Sequence, residues 1–89
     1  MNELHVSGVL VRAKPETMVR TQEGLERLPG VEVMTTTPEG HIVTVVERDT
    51  DAALADVFQE IQNSDGVLSA SLVYHYSDNS TAQDGEVTS

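Results

Sequence analysis

Few side chains in this sequence could carry chemistry, and their types and spacing limit what kind. Three histidines, His5, His41 and His75, are the metal-ligating candidates, because imidazole nitrogen suits zinc and copper. There is no cysteine, which excludes thiolate metal sites, disulfides and cysteine nucleophiles. Ser7, Ser69 and Ser71 lack the Gly-x-Ser-x-Gly context that exposes a nucleophile on a sharp turn. Arg12-Ala13-Lys14 weakly echoes the arginine of phosphate-cradling acylphosphatase loops, but no glycine-rich stretch lies beside it. No group of residues combines nucleophile, base and oxyanion donors. The expected protein is therefore not an enzyme and uses no cofactor.

The elements that position these residues can be read from apolar periodicity. Glu3 to Arg12 has the β-formers Val6, Val9, Leu10 and Val11 and no helical period, predicting a strand. Pro15 suits a first helical turn, and Met18, Val19, Gln22, Leu25 and Leu28 then recur at helical steps until Pro29-Gly30 ends the run. Val31 to Thr36 and His41 to Glu47 predict two strands joined by the turn residues Thr37-Pro38-Glu39-Gly40. Asp49, Thr50 or Asp51 can cap a second helix, whose apolar face is Leu54, Val57, Phe58 and Ile61. Asn63-Ser64-Asp65-Gly66 breaks that helix, and Val67 to Tyr76 is the last strand.

The order β-α-β-β-α-β predicts an α+β, ferredoxin-like domain over residues 1–76, a four-stranded antiparallel sheet with two helices on one face. From Ser77 to Ser89 only Val87 is large and apolar, so burial cannot offset ordering entropy, and a disordered acidic tail is expected. In the sheet, His5, His41 and His75 are expected at one end, spread over three strands and two faces. Polar strand ends, not a metal site, are the reading of these three. Arg12 and Glu47 are expected at the other end as a cross-strand ion pair.

With both helices on one face, the other face is open, and alternation assigns its residues. Val6, Gly8 and Leu10 are expected there from the first strand, Glu32 and Met34 from the second, and Val43, Val45 and Glu47 from the third. Ser69, Ser71, Val73 and His75 join them from the last strand, where Leu68, Ala70, Leu72 and Tyr74 are expected to point inward. An apolar centre on a face left to water points to an interaction surface. The 89 residues carry 15 acids against 5 bases, a formal charge of -10, which excludes nucleic-acid binding and favours a cationic partner. No apolar run is long enough to cross a membrane, and Met1 to His5 does not resemble a secretory signal, so a cytoplasmic protein is expected.

Three stretches carry a family resemblance: Gly8-Val9-Leu10-Val11-Arg12-Ala13-Lys14-Pro15-Glu16, Leu28-Pro29-Gly30-Val31-Glu32-Val33, and Gly66 to His75 with its closing Ser71-Leu72-Val73-Tyr74-His75. They resemble the NapD family of cytoplasmic assembly chaperones for periplasmic nitrate reductase, from about Leu4 to Tyr76. The resemblance implies binding of the twin-arginine (Tat) signal peptide of the catalytic subunit, as a helix across the sheet face, with export delayed until the molybdenum cofactor is inserted. The implied peptide-binding residues are Val6, Gly8, Leu10, Glu32, Met34, Val43, Val45, Glu47, Ser71, Val73 and His75, in a monomer or weak dimer. Alternatives that share the fold are a small-molecule regulatory domain of the ACT type and a homodimer that buries the sheet face on itself.

Overall fold

The computed structural model describes residues 3–79, with side chains from residues 4 to 76. The strands are β1 (Glu3–Ala13), β2 (Val31–Thr36), β3 (His41–Arg48) and β4 (Val67–Asn79). A 3-10 turn (Pro15–Thr17) leads into α1 (Met18–Glu26), and α2 (Asp51–Gln62) joins β3 to β4. The sheet order is β2-β3-β1-β4, every neighbouring pair antiparallel, which is the expected ferredoxin-like arrangement. β4 runs to Asn79, past the expected strand end at Tyr76. Residues 80–89 of the expected tail lie outside the described residues.

The core lies between the sheet and the helices. Val9, Val11 and Ala13 of β1 and Ile42 and Val46 of β3 meet Leu25 of α1 and Leu54, Val57 and Ile61 of α2. Thr44 is also fully buried, and its hydroxyl donates to the Val9 carbonyl at 3.0 Å, so burial leaves no polar group unsatisfied there. On α1 the buried positions are Thr21 and Leu25, flanked by Met18 and Leu28. Val19, expected on the apolar face, is 71% exposed. Spacing the inward residues as 18, 21, 25 and 28 turns Val19 about 100° away, the rotation of one residue on a helix. The Thr21 hydroxyl reaches the Asp65 carbonyl and ties α1 to the turn before β4.

Thr50 resolves the choice of cap for α2: its hydroxyl accepts from the Ala53 amide at 3.0 Å, which makes Asp51 the first helical residue. The β2–β3 turn closes on Gly40, whose φ of 110° is unfavourable for any side chain. A Cβ at Gly40 would also collide with the carbonyl oxygen of Ala13.

The antiparallel pairing overturns two expected groupings. The start of β1 meets the end of β3 and the end of β4: His5 pairs with Arg48 and with Ser77. His41 pairs instead with Arg12, at the opposite end. The three histidines therefore do not gather, and Glu47, which pairs with Val6, lies about 20 Å from Arg12 along the strands. The expected ion pair between Arg12 and Glu47 is ruled out by that separation. The physical reason is strand direction, since adjacent antiparallel strands bring unlike ends together.

Candidate functional site

The face opposite the helices follows the expected alternation in the two central strands. Val6, Gly8, Leu10 and Arg12 of β1 register with Glu47, Val45, Val43 and His41 of β3. These pairs share one face, because directly opposed residues of an antiparallel ladder point the same way. Between them Ser7, Val9 and Val11 and Ile42, Thr44 and Val46 are buried beneath the helices. Val6, Leu10, Val43 and Val45 are half-buried and form the apolar centre of the open face.

The edge strands depart from simple alternation, β2 through one irregularity in its ladder and β4 through two; at one of the two in β4 Leu68, expected inward, has no ladder partner and is 58% exposed. In β2, Glu32 lies opposite Val45 and so on the open face, as expected, but the register shifts between Val33 and Thr35. Thr35, not Met34, therefore stands opposite Val43, and Met34 has no ladder partner and is 55% exposed. In β4, Ser71 pairs with Leu10 and keeps its expected place, as Ala70 and Leu72 keep theirs on the helix side opposite Val11 and Val9. Tyr74 then pairs with Gly8, which leaves Val73 as an extra residue without a partner.

This bulge exchanges the two faces for the remainder of β4. Tyr74 and Tyr76, opposite Gly8 and Val6, come onto the open face, whereas Tyr74 was expected inward. His75, expected on the open face, pairs with Ser7 on the helix side, where its Nδ1 lies 3.2 Å from the Ser7 hydroxyl. The ring of Tyr74 covers the dip above Gly8: a Cβ there would come within 2.7 Å of its Cδ2. The glycine thus admits the close approach of a neighbouring ring from the same sheet.

Assembled, the open face has an apolar centre of Val6, Leu10, Val43 and Val45, a rim of Tyr74 and Tyr76, and two ends of unlike charge. Glu32 and Glu47 are exposed at one corner, and among the described residues neither has a basic partner within 4 Å. Arg12 and His41 mark the other end, His41 tied to the turn through Thr37. Such a surface can hold an amphipathic segment, with cations at the acidic corner and apolar side chains across the valines. Among the described residues it brings together no convergent nucleophile, base and oxyanion donors. The tyrosines were missed because alternation was carried through the bulge; their spacing of two residues was the available signal that they share a face.

Comparison with known proteins agrees with this architecture. The family model described as NapD protein matches residues 4–79. Chaperone NapD of Escherichia coli strain K12 is 35% identical over 71 residues, 79% of this chain and 82% of that protein. Chaperone NapD of Haemophilus influenzae is 29% identical over 75 residues, covering 83% and 81%. The solution structure of the E. coli Tat proofreading chaperone protein NapD superimposes with a TM-score of 0.77 at 29% identity, covering 97% of this chain and 90% of that one. An antiparallel β2-β3-β1-β4 sheet under two helices, with that sequence match along nearly all its described length, places the chain in the NapD family of chaperones.

Proposed function

We propose that this protein binds the twin-arginine signal peptide of the periplasmic nitrate reductase catalytic subunit in the cytoplasm and delays export until cofactor insertion and folding are complete. The observation that carries the reading is the uncovered sheet face, apolar at Val6, Leu10, Val43 and Val45 and acidic at Glu32 and Glu47, in a chain of the NapD family. The apolar side of a helical peptide would lie across the valines, and its arginines would take the acidic corner. Ser71 and the tyrosines would flank it, and Met34 and Val73 would border it from the bulged positions. His75 is left out of the peptide-binding set because it belongs to the other face. The protein would act by binding alone, without catalysis, as a monomer that releases its peptide for export.

Calorimetric titration with a nitrate reductase signal peptide, and with the same peptide carrying glutamine for both arginines, tests this directly. Saturable binding is expected with the first peptide. Two partly exposed charge pairs worth about 0.5–1 kcal/mol each predict affinity about 5- to 30-fold lower for the second. No binding to either peptide would reject the proposal, and a dimeric mass at dilute concentration would then assign the face to self-association. In the same assay Tyr74→Ala is expected to weaken binding by about tenfold, since truncating a rigid aromatic at an interface costs upward of about 1 kcal/mol.

A further inference from the structure

The helix-side surface holds a cluster that the proposed function does not use. His5 from the start of β1, Asp51 from the first turn of α2 and His75 from β4 converge there. His5 Nδ1 lies 2.8 Å from Asp51 Oδ1, and His75 Nε2 lies 3.3 Å from the same oxygen. One ligand atom from each of the three residues falls within 4.8 Å of the others. Three chain segments distant in sequence thus aim two imidazoles and a carboxylate at one point.

The surroundings of the cluster also suit a metal ion. The Ser7 hydroxyl, itself buried, lies 3.2 Å from His75 Nδ1, so the other ring nitrogen, Nε2, is the one that faces Asp51. An outer hydrogen bond of this kind fixes the orientation and tautomer of a ligating imidazole. A cleft of about 380 Å³ adjoins the cluster, walled by Leu54, Ala55, Phe58 and Leu72, and leaves one side of it open to solvent. Arg48, the ladder partner of His5, extends over the Gly30 backbone toward β2.

We infer that His5, Asp51 and His75 form a binding site for a divalent transition-metal ion of the zinc class. Two nitrogens and one carboxylate oxygen suit zinc and its neighbours in preference to the hard cations magnesium and calcium, which take all-oxygen sets. Three protein ligands leave a fourth position facing the cleft, where water or an incoming side chain can bind. The site is formed by the bulge at Val73: without that extra residue His75 would lie on the opposite face. Metal held there would join the end of β4 to the start of α2 and to β1.

The test is titration of the full chain, carrying no polyhistidine tag, with zinc chloride by calorimetry, and separately with cobalt(II) followed by visible absorption. One zinc per chain is expected, and magnesium should produce no saturable heat. His75→Ala and Asp51→Asn alter exposed side chains, so both variants should fold, and each should weaken zinc binding at least about tenfold. Ser7→Ala should weaken it by about 10- to 100-fold while leaving all three ligands in place, the mark of an orienting hydrogen bond. His41→Ala, at the far end of the sheet, should bind zinc as the unaltered protein does. Absence of saturable zinc binding, or binding that survives both His75→Ala and Asp51→Asn, would overturn the assignment.

Discussion

Leu10→Glu and Val45→Glu should each reduce signal-peptide affinity by at least about 100-fold while leaving the free protein folded. Both residues lie on the central strands, half-buried on the face opposite the helices. In the free protein the new carboxylate can reach water, so folding should lose little. When an apolar peptide covers the face, that carboxylate must be desolvated without a fixed partner, at a cost of several kcal/mol. Each 1.4 kcal/mol is about a tenfold change in affinity, which sets the expected loss. Val19→Glu is the matched control: Val19 is 71% exposed on α1, so the same charge change there should leave binding unaltered. Calorimetry with far-UV circular dichroism on each variant decides the matter. Native spectra with undiminished affinity in both open-face variants would mean that the peptide binds elsewhere.

Ile42→Ala should remove a large part of the stability of the fold. Ile42 is 0% exposed and belongs to the core cluster beneath the helices. Removing its side chain beyond Cβ leaves a cavity that rigid neighbours fill only partly, at about 2–5 kcal/mol. A chain of this length has about 4–13 kcal/mol of stability in all, so this one change removes a large fraction of it. With a urea dependence of about 1.5 kcal/mol per molar, the unfolding midpoint should fall by about 1.5–3 M. Ile42→Val, which removes a single methyl group, should cost about 0.5–1.5 kcal/mol. Peptide at about a hundredfold excess over its dissociation constant should restore about 2.7 kcal/mol to Ile42→Ala, if the peptide binds the folded state alone. A midpoint shift below about 0.5 M would show that the core collapses around the smaller side chain.

The contrast between these two substitutions follows from the alternation of β3. Ile42, Thr44 and Val46 are buried, while Val43, Val45 and Glu47 face away from the helices. Adjacent residues of the same strand therefore meet different surroundings: the core at 42 and the open face at 43 and 45. This division was legible in the valine-rich run itself, because period-two alternation is a property of neighbouring residues and needs no knowledge of the rest of the chain.

The same locality explains how the element order, the bounds of β2, the apolar face of α2 and the open face of β1 and β3 could be read from the residues alone. Each depends on propensity, capping or alternation within a dozen positions. The acidic excess and the apolar residues of the uncovered sheet face are likewise legible in the residues themselves. What tertiary structure decided was the pairing between distant segments. Antiparallel ladders separated His41 from His5 and His75, and Arg12 from Glu47. The extra residue at Val73 put Tyr74 and Tyr76 on the open face and His75 beside Ser7. Nothing local marks that bulge, since Val73 is as good a strand former as its neighbours and becomes the unpaired residue only through its register against Gly8 and Val9. Asp51 showed in the sequence only as a helix-start residue; its place beside two imidazoles exists because α2 packs over the junction of β1 and β4. Local pattern therefore specified the elements and most of their faces, while long-range register, which no short window contains, determined which side chains meet.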